Sequence, residues 1–127
     1  MALGMALNGA AGSTFDAMRT ALHHGESSQE EINAAYRGLL DVLQDLDPRV
    51  RFHIANSIWT RQGFPVLPSF YEVLKREFDA EAAELDFGDP AAADRINRWV
   101  KEKTQGKIDE AVKAPIPPDL VMFLINA

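Results

Sequence analysis

Apolar positions recur along this chain at two spacings. In Val50–Thr60, VRFHIANSIWT, they fill an extended run rich in Ile, Phe, Trp and Thr, with no Gly or Pro inside. That composition predicts a strand. Side chains of a strand alternate between its faces. Val50, Phe52, Ile54, Asn56 and Ile58 therefore share one face, and Arg51, His53, Ala55, Ser57 and Trp59 share the other. Both faces carry apolar residues, as in a strand covered on both sides. Two further runs, Ala82–Phe87 and Leu120–Asn126, also read as strands. Between the first and second, Leu67, Phe70, Leu74 and Phe78 recur at helical spacing, with Pro68 in the first turn. Between the second and third, Asp89 and Pro90 open a helix whose inner stripe is Ile96, Trp99, Val100 and Lys103, and Gly106 closes it. Lys107–Val112 adds a turn, and Pro115, Pro117 and Pro118 make a stiff, extended lead into the third strand. Strand, helix, strand, helix, strand makes two crossover units. These predict parallel pairing, with Val50–Thr60 in the middle of three strands.

The N-terminal part reads as helical. Ala2–Leu7 forms the last turns of a helix closed by Asn8 and Gly9. Ser13, with Asp16 three residues on, is expected to cap a helix carrying Phe15, Met18 and Leu22 on one face and ending at His23-His24-Gly25. Ser27 or Ser28 caps a longer helix running to about Leu46, with Ile32, Ala35, Tyr36, Leu39, Leu40, Leu43 and Leu46 as its apolar stripe. Its outer face is acidic, with Glu30, Glu31, Asp41, Asp45 and Asp47 against Arg37, and Pro48 ends it. Both ends of the chain are expected to be cut. ALGMALNGA starts as a helix with no cap before it, and LVMFLINA stops inside an apolar strand.

Composition narrows the function classes. A length of 127 residues allows one domain or less, and 46% hydrophobic residues is globular rather than disordered. A net charge of −6 argues against nucleic acid or an anionic membrane as partner. No apolar run is long enough to span a bilayer. With no cysteine there is no disulfide, no Cys-ligated zinc and no thiol nucleophile. No signal-peptide pattern stands at the start.

Chemical motifs are few. His23 and His24 are adjacent, so they do not share a helix face, and no further ligand stands at metal spacing. A helix-end role suits them, since a cationic His favours a helix C-terminus. The single glycine of Arg61-Gln62-Gly63-Phe64-Pro65 marks a turn, not a phosphate-binding loop. Asp86-Phe87-Gly88 matches the kinase magnesium motif in letters only, without the loops that accompany it. No catalytic residues, metal ligands or cofactor are expected.

The order of short motifs is more specific. Phe87-Gly88-Asp89-Pro90 is followed by Ile96-Asn97-Arg98-Trp99-Val100, then Lys103-Thr104-Gln105-Gly106-Lys107-Ile108, then a proline-rich lead into Val121-Met122-Phe123-Leu124-Ile125-Asn126-Ala127. Upstream stand Leu7-Asn8-Gly9-Ala10, Gly12-Ser13-Thr14, and Ile54-Ala55-Asn56-Ser57-Ile58-Trp59 with Gly63-Phe64. This series resembles the serpin family, end to end. The resemblance implies an α+β fold holding the end of helix B, helices C, D, E and F, and strands 2, 1 and 3 of sheet A, with Val50–Thr60 central. It implies a piece from the N-terminal half of such a domain, of bacterial type, running over residues 1–127 from the end of helix B to strand 3. The reactive-centre loop and sheets B and C would lie outside it.

The function implied is suicide-substrate inhibition of serine or cysteine proteases. The target protease cleaves a bait bond in the reactive loop and is held as an acyl-enzyme while the loop inserts as a new strand of sheet A beside strand 3. The fragment alone is expected to be inactive and is not an enzyme. Asn126 and Asn56 match shutter asparagines of the family, whose serine and histidine partners would lie beyond this chain. The bland reading ends both strands at solvent. Trp99 matches the anchor of helix F. The implied partner is a protease, reached through the absent loop. Heparin is not expected, because the helix matching helix D is acidic. The exposed strand Leu120–Asn126 is expected to favour self-association. The competing reading is a non-inhibitory interaction or carrier module of the same fold, or a truncated gene product.

Overall fold

The computed structural model describes residues 1–44 and 53–127. The expected helix end at Leu46, the stop at Pro48 and the strand residues Val50, Arg51 and Phe52 lie outside the described residues. Among the described residues eight elements follow in order: α1 (Ala2–Leu7), α2 (Gly12–Ala21), α3 (Gln29–Gln44), β1 (Asn56–Arg61), α4 (Pro68–Phe78), β2 (Glu81–Leu85), α5 (Ala91–Lys103) and β3 (Met122–Asn126).

The sheet order is β2-β1-β3, so β1 is the middle strand, as its two apolar faces imply. β1 and β2 run parallel, with Ser57 opposite Glu81 and Arg61 opposite Leu85. β1 and β3 run antiparallel, with Asn56 opposite Asn126 and Thr60 opposite Met122. The expectation of parallel pairing is therefore wrong for the third strand. The reason lies after α5. This helix carries the chain to the N-terminal end of β1, where Gln105 meets the ring of His53. Residues 104–121 then cross back, and the chain reaches the C-terminal end of β1, where Arg61 holds the carbonyls of Pro117 and Leu120. A crossover that returns once in a helix gives a parallel strand, and a second return through an extended strap reverses it.

Two cores cover the two faces of the sheet. On one, Trp59, Leu85, Phe87, Ile96, Trp99 and Val100 pack with Val112 and Ile116 of the strap. On the other, Met5 of α1 and Leu74 and Phe78 of α4 pack on Ile58, with Tyr36 of α3 beside them. The side chains of β3 divide between these cores. Phe123 and Ile125 join the first, and Met122 and Leu124 join the second.

Local signals mostly acted where expected. Ser28 Oγ accepts the Glu31 amide at 3.2 Å, and the Glu31 carboxylate accepts the Ser28 amide at 2.8 Å, a reciprocal capping box on α3. Asp89 accepts the Ala91 amide at 2.8 Å ahead of α5. Gly106, at φ +77°, donates its amide to Lys101 O at 2.7 Å and closes that helix. Ser13 does not cap α2, which begins one residue earlier, at Gly12. Asp16 instead pairs with Arg19 at 3.3 Å. The apolar stripes are also narrower than the sequence suggests. Ala35 and Leu39 of α3, Leu67 before α4 and Lys103 of α5 are exposed.

Candidate functional site

Asn56 and Asn126 face each other at one end of the β1–β3 pair. Just beyond them, Ala55 and Ala127 exchange both backbone hydrogen bonds, at 2.7 and 2.9 Å. The Asn pair therefore occupies the next, non-hydrogen-bonded position, where cross-strand side chains approach most closely. Asn126 Nδ2 donates to Asn56 Oδ1 at 2.9 Å. Asn56 Nδ2 donates to Phe78 O at 2.7 Å. Phe78 ends α4, so its carbonyl has no partner within the helix, and Asn56 supplies one. Asn56 is buried and Asn126 exposed. Asn56 thus has two partners inside this chain, neither of them the serine or histidine that the resemblance implies. The reading in which both asparagines end at solvent fails for Asn56.

The opposite face of β1 presents Ser57 and Trp59. Trp59 Nε1 donates to Ser57 Oγ at 2.9 Å. Trp99 of α5 meets Trp59 edge-on, with ring centroids 5.9 Å apart at 76°. Trp99 is buried, and its Nε1 has no hydrogen-bond partner among the described residues. Packing, not polar contact, holds this side chain.

Two polar residues that the sequence reading passed over fasten the strap. Asn97, inside the Ile96–Val100 motif, donates to Val112 O at 2.8 Å and accepts the amides of Ala111 and Val112 at 2.8 and 2.9 Å. Arg61, read only as a turn residue, holds Leu120 O and Pro117 O, each at 2.9 Å. Asn97 could have been noticed as a carboxamide on a helix flank that must face something polar. For Arg61 no local signal exists. Lys101 Nζ lies 2.8 Å from the Asp109 carboxylate, whose hydrogen bond and charge push the lysine above its ordinary range. The reciprocal pair Asn8 and Asn33, at 2.9 and 2.8 Å, ties α1 to α3.

β3 is an edge strand, and among the described residues only β1 pairs with it. Beside Met122 and Leu124 lies an apolar groove of about 660 Å³ between α1, α2 and residues 64–73. His24 stands edge-on to Tyr36 at the end of α2. Among the described residues no three His, Asp or Glu side chains converge as for a metal ion. The arrangement can hold strands in register and can offer one strand edge to a partner.

The comparisons with known proteins agree with this architecture. The family model described as Serpin (serine protease inhibitor) matches residues 1–127. Iripin-5 of Ixodes ricinus is 33% identical over 130 residues, covering 99% of this chain and 33% of that protein. Serpin B6 of Bos taurus is also 33% identical, over 99% of this chain and 35% of that protein. Among solved structures, the thermophilic serpin tengpin in its latent state superposes with a TM-score of 0.88 at 33% identity, over 98% of this chain and 33% of that one. The chain thus spans about a third of the length of the relatives it matches. With the family model matched along its whole length and this fold shared, the chain belongs to the serpin family.

Proposed function

We propose that these 127 residues form part of a protease-inhibiting serpin domain, running from the end of helix B to strand 3 of sheet A, and supply one wall of the gap that a cleaved reactive loop enters. In this reading α1 is the end of helix B, α2 to α5 are helices C to F, and β1, β2 and β3 are strands 2, 1 and 3 of sheet A. The observation that carries it is the position of β3, at the edge of the sheet and backed by an apolar core on each face. An edge strand of this kind accepts a new strand through main-chain hydrogen bonds. The protein acts as a spring rather than as an enzyme. Its partner is a protease whose nucleophile attacks the bait carbonyl, breaks the peptide bond and remains attached as an acyl-enzyme when the loop inserts.

Within this reading Asn56 and Asn126 form the shutter, where β1 and β3 meet at the end of the sheet. Trp99 anchors helix F on the sheet through Trp59. Heparin binding is not part of the function, because α3 presents Glu30, Glu31 and Asp41 rather than a basic stripe.

The test is complementation. Alone, the chain mixed with trypsin-like and chymotrypsin-like proteases should be cleaved and should give no SDS-stable complex. One β3 edge supplies only one of the two ladders that an inserted strand would make, and each backbone bond contributes only about 1 kcal/mol net. Adding the remainder of the parent serpin as a second polypeptide should restore trapping, and Asn126→Ala should weaken it. A stable complex with the chain alone would refute the reading.

A further inference from the structure

β3 has apolar side chains on both faces, Met122 and Leu124 toward one core and Phe123 and Ile125 toward the other. In a strand with one buried face, a one-residue slip is forbidden because it turns the apolar set to solvent. In β3 the same slip exchanges one apolar pair for another, so the hydrophobic pattern holds the register weakly. No hairpin turn fixes it either, since β3 is reached through residues 104–121. Another contact has to decide where β3 begins on β1.

Arg61 is the last residue of β1. Its amide donates to Val121 O at 2.9 Å, its Nε to Leu120 O at 2.9 Å and its Nη2 to Pro117 O at 2.9 Å. Pro117 O also accepts the Leu120 amide at 3.1 Å, so the turn ahead of β3 is closed and clamped through one oxygen. The guanidinium lies over the Phe87 ring, 5.2 Å from its centre, and Phe87 meets Phe123 of β3 edge-on with centroids 5.4 Å apart. Two carbonyls held by a fork and a ring held by its flat face are contacts a guanidinium makes and an ammonium does not.

We infer that Arg61 is the register pin of β3, a positioning residue that fixes the start of this strand against the end of β1. The Asn56–Asn126 bond checks the same register at the far end. A one-residue slip would turn Asn126 toward α5, and a two-residue slip would set it opposite Ile58 or Ile54. The role belongs to the β1–β3 pair and stands apart from the inhibitory reading. Under that reading, the register of β3 would also set that of a strand added to its outer edge.

The test is NMR on the 127-residue chain, reading Hα–Hα contacts across the non-hydrogen-bonded pairs Asn56/Asn126 and Ile58/Leu124, with amide exchange along β3. Arg61→Met keeps the stem and removes the fork. It should give a second set of contacts, from Ile58 to Phe123 or Ile125 for a one-residue slip and to Met122 or Asn126 for a two-residue slip, and β3 amide exchange faster by about tenfold or more, as expected for losing hydrogen bonds from a charged donor. Asn126→Ala alone should keep a single register. Unchanged contacts and exchange rates in Arg61→Met would overturn the inference. Should Arg61→Met fail to fold, Arg61→Lys decides. Faster exchange confined to residues 117–126 supports the pin, and native rates throughout overturn it.

Discussion

Replacing Asn56 by Ala should cost more than replacing Asn126, although the two share one hydrogen bond. Asn56 is 3% exposed, and its Nδ2 is the donor that reaches the terminal carbonyl of α4, Phe78 O, at 2.7 Å. Truncation leaves that carbonyl bare beside a buried core, which costs about 1–3 kcal/mol. It also frees the Asn126 amide, but that side chain is exposed and finds water, so this loss adds about 0.5 kcal/mol. Asn126→Ala takes the donor from Asn56 Oδ1 but opens that oxygen to water where the exposed side chain stood, and should cost about 0.5–1 kcal/mol. In the Asn56→Ala background, Asn126→Ala should cost almost nothing. The cycle should therefore show an interaction energy of about 0.5–1 kcal/mol. Urea unfolding of the chain and its three variants measures it, and thermal melts should follow at roughly 3–5 °C per kcal/mol for a chain of this size. Equal costs for the two single variants, or strict additivity, would refute the assignment of Asn56 as the hub.

Other outcomes follow from single contacts. Gly4→Ala should destabilise by about 1–3 kcal/mol in a thermal melt, since a Cβ there would lie 2.5 Å from Cε2 of Tyr36 and force that ring aside. Burial raises the Tyr36 phenol above its ordinary 10.0, so the folded state binds this proton more tightly than the unfolded state. The stability it contributes is fully present below pH 10 and is lost as pH rises through the raised value, and Tyr36→Phe should flatten that alkaline loss in unfolding measured across pH. Trp99→Phe should cost about 1–3 kcal/mol by urea titration, from the volume lost beside Trp59 and with no hydrogen bond broken among the described residues, and a loss well above that would point to a polar role for Trp99. The chain alone should self-associate through the β3 edge, so its sedimentation coefficient should rise with concentration. A monodisperse monomer with a sharp melt would count against this.

The middle strand was legible because it breaks the usual alternation. Ile58 on one face and Trp59 on the other left it no solvent side, and the structure covers both. Ser28 was legible, with Ser27 as its alternative, as an opening to α3 because a cap is a local contact, whereas its partner Glu31 was read only as part of the acidic face. Ala35, Leu39 and Leu67 were misjudged because spacing reports which residues share a helix face and not how much of that face a neighbour covers. The direction of β3 was not legible from periodicity. A strap with no regular structure leaves no hydrophobic period, so nothing in residues 104–121 declares that the chain crosses the sheet a second time.

The candidate site shows the same division at finer scale. Asn56 was singled out by the resemblance to the family's shutter, and as a buried carboxamide it has to find partners. Which partners it finds depends on the polarity of β3. Had β3 run parallel, Asn126 would have ended at the other end of β1, and the two side chains could not have met. The reversal that periodicity could not reveal is thus what brings the two asparagines within 2.9 Å of each other. Arg61 fastens the strap at the point where the reversal is completed, so the contact at one end of β1 is a condition for the contact at the other.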